Sequence, residues 1–438
     1  MSTNPNQSTA TIAGPQQQRI SRRVVLAGAV GSVVEYFDFG VYGYVATILA
    51  VHFFQQGDSV AALLATLATF AVAFILRPIG ALLFGHFGDR YGRKNALAAT
   101  VILMAIASGL IGILPTYAAI GVGATALLVL ARCVQGLAAG GELGGAAAFV
   151  AEHAPHHRRG LMCSTTQMGA LTGSLLASLT VTILNLSLGS DAMSDWGWRL
   201  PFLIAVPLGL VGLWIRTKLS ESADFNAIKE ISATAKPPVI VLFKTHPKML
   251  LRVVALSILL FSAYYVAYVY VNIHLQTVVG LDANFAYMST TLTLVVSVIA
   301  MPMFGALSDR IGRKPVFIGA TIAALVLAIP CFLLFEQGGA VAVAAHIILG
   351  LTDSALMGVA LSTYAEMFPT SVRYTGIAFG FSVGAALAGG TAPFISTWLV
   401  NITGNPIAPA FFLIGTAIIT LIAAMTLKET KGIDLAKV

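Results

Sequence analysis

Apolar runs long enough to cross a lipid bilayer recur along nearly the whole of this 438-residue chain. Each covers about 20 residues, which as an α-helix matches a hydrocarbon core roughly 30 Å thick. Only 10% of the residues are charged, well below the roughly one quarter that is usual in soluble domains. The short alternating segments of outer-membrane barrels do not occur in this sequence. The predicted class is therefore an all-α polytopic membrane protein.

Twelve transmembrane helices are predicted from these runs. Their approximate bounds are 24–51, 60–87, 94–115, 120–150, 160–186, 199–216, 250–277, 284–308, 315–335, 340–367, 373–400 and 407–427. With the N-terminus inside, all but three of the 25 lysines and arginines fall in cytoplasmic segments. The exceptions are Arg77 and Arg132 within spans and Arg199 at an outer boundary. The positive-inside rule thus places both termini in the cytoplasm and explains the net charge of +7 without a nucleic-acid partner.

The two halves of the chain carry the same charged motifs at corresponding positions. The pattern G-x-x-x-D-R-x-G-R-K stands at 85–94 after the second span and at 305–314 after the eighth. After the fourth and tenth spans, Glu152 and Arg159 have the same spacing as Glu366 and Arg373. This repetition predicts two pseudo-symmetric six-helix bundles around a central pathway.

The predicted organisation has five parts. They are a disordered cytoplasmic N-terminal tail at 1–22, an N-terminal six-helix bundle at 23–217, a cytoplasmic linker at 218–248, a C-terminal six-helix bundle at 249–428 and a cytoplasmic tail at 429–438.

The charged hairpins are candidates for a gate on the cytoplasmic side. Asp89 and Asp309 stand where each can pair with nearby arginines and with the positive N-terminal end of a neighbouring helix. Such contacts would hold the cytoplasmic side closed. The alternative, that the basic residues only set topology, is favoured for the lysines. The gating candidates are Asp89, Arg90, Arg93, Asp309, Arg310, Arg313, Glu152, Arg159, Glu366 and Arg373.

Other ionisable side chains lie deep within predicted spans. With a rise of about 1.5 Å per residue, Glu35, Arg77 and Glu142 fall near the bilayer midplane. Asp353 has a similar depth in the second half, and Arg132 lies closer to the outside. Ionisable residues at such depths are rare and usually functional.

Three of the acids are candidates for proton coupling. Glu35 and Asp38 share a helix face with Tyr42 and can form a proton site beside Arg77, because burial and a neighbouring cation tune a carboxyl group. The alternative is a structural ion pair with Arg77 plus one spare acid. Glu142 lies among glycines with no cation nearby in the sequence and is the leading candidate for a titrating carboxyl.

Other side chains are candidates for substrate binding. Arg77 and Arg132 suit an anion, since a guanidinium stays charged and holds a carboxylate through two hydrogen bonds. Tyr264 and Tyr268 share a face of the seventh span and can hold a cationic headgroup, with interhelical packing an equal alternative. The substrate candidates are Arg77, Arg132, Tyr42, Tyr264, Tyr268 and Asp353. No cysteine spacing indicates a metal site.

These motifs resemble those of the major facilitator superfamily. The superfamily likeness rests on the paired D-R-x-G-R-K hairpins and on R-C-V-Q-G at 132–136, which matches an R-x-x-Q-G pattern associated with proton coupling. Within it, the chain is similar to the metabolite:proton symporter family. That likeness rests on the strings at 34–42, 77–80, 140–145, 196–202 and 365–369. The resemblance implies coupling roles for Arg132 and the first-helix acids, and gating roles for Asp89 and Asp309.

The resemblance also implies a function. Members import small carboxylates, proline or glycine betaine with protons, by alternating access across the bacterial cytoplasmic membrane. The strings from Glu142 to Gly160 are most similar to the proline/betaine branch, but no long coiled-coil tail precedes Val438, so osmotic gating is not expected. The expected partners are the substrate, protons and the bilayer. No cofactor beyond the proton-motive force is expected, and the chain is expected to act as a monomer.

Two other functions share parts of this pattern. A proton-coupled exporter would have the same fold, but the family-specific strings disfavour it. A membrane-bound sensor usually carries an appended signalling region, for which the two tails leave little room. An ATP-driven pump is excluded because no G-x-x-x-x-G-K-[ST] loop occurs, and no constellation of residues indicates an enzyme.

Overall fold

The computed structural model describes residues 31–55, 57–91, 93–140, 150–152, 154–218 and 238–435. Within those ranges every regular element is helical. In these described ranges, nine helices are long and apolar enough to cross a membrane, and the number is eleven if each of two bent pairs is counted as one span. The apolar part of one further helix, Ala98–Ile113, occupies the position of the third predicted span. The order of the helices therefore follows the twelve predicted spans.

The N-terminal bundle contains the first six spans. They are α1 (Gly31–Tyr44, continued by Ala46–Phe53), α2 (Ser59–Tyr91), α3 (Arg93–Ile113), α4 (Val122–Gly140), α5 (Arg159–Leu188) and α6 (Arg199–Lys218). The first span bends by 65° where Val45 leaves the helical conformation, whereas the sequence predicts one uninterrupted helix.

The C-terminal bundle follows a short helix, Pro238–Thr245. Its spans are α7 (Pro247–Thr277), α8 (Ala283–Ile311), α9 (Arg313–Phe335), α10 (Gly339–Met367), α11 (Val372–Thr403) and α12 (Ala408–Met425). A π-helical turn interrupts α7 at Val266–Tyr270 and another interrupts α11 at Ala385–Gly389. Such turns widen the helix locally and are frequent at functional sites.

Small residues bring α4 against α2. A Cβ atom at Gly136 would collide with the backbone of Ala73, and one at Gly140 would collide with the backbone of Arg77. Helices in a membrane associate through such close backbone approach. The glycine spacing of α4 therefore fixes the distance between the two helices that carry Arg77 and Arg132.

The bundles meet along two helix pairs. α5 lies along α8, and α2 lies along α11, with α1 and α7 between them. The end of the molecule that carries Arg159, Asp309, Glu366 and Arg373 is called the basic face below, and it is the side predicted to be cytoplasmic. The other end is called the opposite face.

Candidate functional site

The buried acid of α1 forms an ion pair with the arginine of α2. Glu35 Oε1 lies 2.9 Å from Arg77 Nη2, and both side chains are at most 3% exposed. The Arg77 guanidinium also lies 4.4 Å from the ring centre of Phe39 and 4.1 Å from that of Phe74. Ring faces attract a cation, so the N-terminal bundle surrounds this charge with both an acid and aromatic rings. Both residues face the protein interior rather than lipid.

Arg132 belongs to a second polar cluster of the same bundle. Its Nη1 donates to Gln135 Oε1 at 2.8 Å, and Gln135 Nε2 donates to Ser108 Oγ at 2.7 Å. The guanidinium lies 4.2 Å from the ring centre of Tyr42. The Nε and Nη2 atoms of Arg132 have no hydrogen-bond partner among the described residues. They are therefore available to an anion.

Asp38 is a second buried acid on α1. It is 1% exposed and forms no ion pair within the described part of the chain. Ser108 is beside it, and Arg132 is near enough to interact electrostatically. Tyr42, the third residue on this face of α1, donates its hydroxyl to the Thr66 carbonyl at 3.0 Å. Of the two buried acids on α1, Glu35 is therefore paired with Arg77, and Asp38 has no ion pair with a described residue.

Asp353 on α10 is the buried acid of the C-terminal bundle. It is fully buried, and neither carboxylate oxygen receives a well-aligned hydrogen bond from a described residue. The hydroxyl of Tyr268 lies beside it. That hydroxyl lies 3.0 Å from both the Gly350 carbonyl and Ser297 Oγ, and its single hydrogen is donated to one of the two. Tyr268 therefore joins α7, α8 and α10 around Asp353.

A cluster of tyrosines lies between the charges of the two bundles. Ring centres are 5.5 Å apart for Tyr36 and Tyr264, 4.9 Å for Tyr264 and Tyr265, and 5.0 Å for Tyr264 and Tyr268. The Tyr264 hydroxyl pairs with Ser174 Oγ at 2.6 Å. Tyr264 and Tyr268, both predicted from their spacing, thus pack between helices and also lie at the bundle interface.

Tyr36 and Tyr265 also belong to this cluster, although neither is among the site residues predicted from the sequence. Tyr36 lies within electrostatic range of Glu35, Arg77 and Asp353, which belong to both bundles. The sequence did indicate that both tyrosines lie near the site, because Tyr36 directly follows Glu35 and Tyr265 directly follows Tyr264. Neighbours along a helix point in different directions, so only the rotation of α1 and α7 shows that they meet.

Two reciprocal ion pairs join the bundles at the basic face. Arg159 Nη1 of the N-terminal bundle lies 3.0 Å from Glu366 Oε1 of the C-terminal bundle. In the reverse sense, Arg373 Nη1 of the C-terminal bundle lies 2.7 Å from Glu152 Oε1 of the N-terminal bundle. The four residues that share a spacing in the sequence are therefore brought together in space.

Asp309 links α8 to the beginning of α5. Its carboxylate accepts hydrogen bonds from the backbone N–H groups of Gly160 at 2.8 Å and Leu161 at 2.9 Å. It also lies 2.8 Å from Arg313 Nη1, and Arg313 lies 3.2 Å from Glu366. A helix N-terminus carries partial positive charge, which favours this position for a carboxylate. The contacts expected of Asp309 are present, and its gating role stays a prediction.

The segment that follows α12 continues the contacts at the basic face, although the sequence predicts 429–438 only as a tail. Thr430 Oγ1 donates to Glu366 Oε2 at 2.6 Å. Arg159 donates to the Ile433 carbonyl and Arg373 to the Leu435 carbonyl, each at 3.1 Å. The segment therefore contacts arginines of both bundles. The only sequence signal for it is the pair of apolar residues Leu427 and Leu435, both of which are buried.

Glu429 binds this segment to the start of α9. Its carboxylate accepts from the backbone N–H groups of Arg313 at 2.9 Å and Lys314 at 3.1 Å. Partial burial raises the pKa of the Glu429 carboxyl, but hydrogen bonds from Arg313, Lys431 and Lys314 outweigh burial and hold the pKa below its usual range.

The side chains of some predicted site residues are not among those described in these contacts. Arg310 is exposed, and its backbone carbonyl accepts from Lys431 Nζ at 2.6 Å. Glu142 lies outside the described residues, as do the side chains of Asp89, Arg90 and Arg93. Their predicted roles in coupling and gating stay predictions.

The bundles are also joined by hydrogen bonds away from the basic face. At the opposite face, Asn185 Nδ2 donates to Asn284 Oδ1 at 2.6 Å, which ties α5 to α8. Ser178 pairs with Thr291 at 2.7 Å along the same helices. Together with the ion pairs of the basic face, these contacts join the bundles on both sides of the tyrosine cluster, whose members are each at most 4% exposed.

The family model for sugar (and other) transporters matches residues 24–239 and 232–438, which correspond to the two bundles. The chain belongs to this family. Over 423 residues it is 37% identical to the glycine betaine/proline/ectoine/pipecolic acid transporter OusA of Dickeya dadantii, covering 93% of this chain and 83% of OusA. It is 36% identical over 440 residues to the inner membrane metabolite transport protein YhjE of Escherichia coli, covering 97% and 99%.

The family's fold is also that of a solved transporter. The chain superposes on the major facilitator superfamily proton:xylose symporter XylE with a TM-score of 0.73 and 21% identity, covering 96% of this chain and 98% of XylE. The predicted all-α fold of twelve helices in two bundles is confirmed. The resemblance to the superfamily is confirmed as well, and the relatives are transporters rather than enzymes.

Proposed function

We propose that this family member is a proton-coupled symporter that imports a small zwitterion or carboxylate, such as proline or glycine betaine, by alternating access. The names of OusA and of the 35% identical proline/betaine transporter of Salmonella typhimurium support the substrate class. The proposed location is a bacterial inner membrane, as in the name of YhjE, with both termini cytoplasmic. The proposed energy source is the proton-motive force, without a cofactor, and the proposed unit is a monomer.

The observation that carries this proposal is the set of buried charges at the bundle interface. Glu35, Asp38, Arg77, Arg132 and Asp353 are each at most 3% exposed, in a region that lipid would surround. Ionisable groups at such depth are expensive and usually serve transport. They flank a buried tyrosine cluster at the interface of the two bundles, which is where an alternating-access carrier holds its substrate.

The proposed cycle couples the substrate to a proton through charge neutralisation. A substrate carboxylate is held by the free donors of Arg132 or by Arg77, while a proton neutralises Asp38, Glu35 or Glu142. The loaded carrier then reorients because it no longer contains an unpaired buried charge. Reorientation breaks the contacts of Asp309 and both reciprocal ion pairs, so that the basic face opens.

Uptake by purified protein in proteoliposomes tests the proposal. A pH gradient, acidic outside, is expected to drive accumulation of labelled proline or glycine betaine, and a protonophore is expected to abolish it. Asp38→Asn is expected to lose accumulation while it retains substrate exchange. Asp282→Asn is the matched control, because Asp282 caps α8 through the Asn284 N–H and asparagine can replace it there.

Two results contradict the proposal. Accumulation that is indifferent to the protonophore would exclude proton coupling. Movement of substrate only against the inward proton flux, measured in oriented vesicles, would indicate an exporter of the same fold.

A further inference from the structure

Asp353 differs from the other buried acids because no cation accompanies it. Glu35 pairs with Arg77, and Asp38 lies within electrostatic range of Arg132. In the part of α7 to α12 that lies between the two faces, Asp353 is the only acid, and no lysine or arginine shares that depth. Its two oxygens form no ion pair with a described residue.

A buried carboxylate without a partner is unfavourable by several kcal/mol. Such a group is protonated, or it is neutralised by a cation that arrives from outside the protein. The surroundings of Asp353 favour the cation. The hydroxyl of Tyr268 lies beside it. The ring of Tyr268 packs 5.0 Å from that of Tyr264, which in turn lies 5.5 Å from that of Tyr36. Aromatic faces bind quaternary ammonium groups. A site that only exchanges a proton does not need such faces.

The opposite end of the tyrosine cluster carries positive charge. Tyr36 lies within electrostatic range of Asp353 and of Arg77. Tyr265 lies within electrostatic range of Arg77 and Arg132, and its ring packs 5.0 Å from that of Phe74. The acid belongs to the C-terminal bundle and the arginines to the N-terminal bundle. The centre therefore has a carboxylate without an ion pair at one end and, at the other, Arg132 with two free donors beside Arg77, whose charge is shared with Glu35.

We propose that Asp353 is a specificity-determining residue that binds the cationic nitrogen of the substrate, so that the site accepts zwitterions and rejects dicarboxylates. This inference rests on the proposed function. A zwitterion places its ammonium group at Asp353 and its carboxylate towards the arginines, and it thereby joins the bundles. A dicarboxylate places a second negative charge against Asp353, and such repulsion is an effective means of selectivity.

The sharpest test changes the charge of the ligand without changing its shape. In tert-butylacetate a carbon atom replaces the quaternary nitrogen of glycine betaine. Calorimetric titration of the purified full-length protein is expected to show binding of glycine betaine and much weaker binding of tert-butylacetate. In Asp353→Asn, glycine betaine is expected to bind roughly 30-fold or more weakly, as when a buried charge pair loses one partner. Binding of tert-butylacetate is expected to be unchanged or improved.

Further variants distinguish the loss of the negative charge at position 353 from misfolding of the protein. Asp353→Glu keeps the carboxylate and is expected to retain part of the preference for glycine betaine over tert-butylacetate. Asp282→Asn is the matched control, since its carboxylate is exposed and caps α8. Succinate is expected not to bind the wild-type protein and to gain binding in Asp353→Asn relative to glycine betaine.

Several results would overturn the inference while proton-coupled uptake by the wild-type protein stands. Equal weakening of both ligands in Asp353→Asn would show that the residue does not sense the nitrogen. Unchanged binding of glycine betaine together with lost accumulation would make Asp353 a proton carrier. Tighter binding of succinate than of any zwitterion by the wild-type protein would exclude the proposed selectivity. Absence of all gradient-driven uptake by the wild-type protein would instead refute the proposed function.

Discussion

The two reciprocal ion pairs of the basic face come from the same repeated sequence but differ in their surroundings. The Glu366 side chain is fully buried beside Arg159, whereas the Glu152 side chain beside Arg373 is 36% exposed. Glu366 also accepts from Arg313 and from Thr430. Thr430 belongs to the segment that follows α12. An internal repeat thus specifies a pair of contacts, and the surroundings of each pair decide its burial and its number of partners.

The largest expected effect is that of Glu366→Gln. The change leaves the buried guanidinium groups of Arg159 and Arg313 without their shared carboxylate. Removal of one partner from a buried ion pair destabilises the closed basic face by about 3–5 kcal/mol. Spin labels at the exposed positions 157 and 428 are expected to move apart in pulsed electron resonance, in a background without the native cysteines. Glu336→Gln, at the exposed end of α9, is the control. An unchanged distance distribution would contradict this assignment.

A smaller effect is expected for Asp309→Asn. The amide keeps one acceptor for Gly160 or Leu161 but loses the charge that faces Arg313 and the start of α5. The closed basic face is expected to lose about 1–3 kcal/mol. The same labels measure the shift, which is expected to lie between those of Glu366→Gln and wild type. A shift as large as that of Glu366→Gln would show that Asp309 contributes more than its contacts predict.

Glu429→Gln tests the contribution of the C-terminal segment through pH. The Glu429 pKa is lowered in the folded protein from its ordinary value of 4.5, so the ionised carboxylate favours the packed segment above that pH. This contribution is lost as pH falls through the lowered pKa. Because Glu429 is exposed, the effect is at most about 1 kcal/mol. Protection against hydrogen exchange at the Arg313 and Lys314 amides, taken relative to the intrinsic rate at each pH, is expected to fall on acidification in wild type. Protection is expected to start lower and to change less in the variant, so equal acid responses would argue against the contact.

The smallest effect is expected for Glu152→Gln, which removes the more exposed of the two reciprocal ion pairs, that between Glu152 and Arg373. Arg373 keeps the carbonyls of Ala365, Phe368 and Leu435 as acceptors. An exposed ion pair contributes about 0.5 kcal/mol, so the label distances are expected to match those of wild type within error. A change equal to that of Glu366→Gln would show that burial does not distinguish the pairs.

The fold was largely predictable from the sequence, and the site was predictable only in its composition. Helix positions follow from apolar runs, because a chain in lipid must satisfy its backbone hydrogen bonds within each span. Arg77, Glu35 and Asp353 are recognisable because a charge inside such a run is unusual. The 65° bend after Tyr44 and the π-helical turn at Val266–Tyr270 have no comparable signal. They depend on contacts with neighbouring helices.

The sequence by itself determined that this chain has two related sets of membrane helices, which acids and arginines lie deep within them, and which charged strings recur at their ends. Only the tertiary structure decided that Glu35 forms an ion pair with Arg77 and that Asp353 forms none with a described residue. It also decided that the segment after α12 contacts Glu366 through Thr430. The physical reason is that depth in a membrane follows from counting along a helix. A partner on another helix depends on the rotation and separation of both, which the packing of the whole molecule sets.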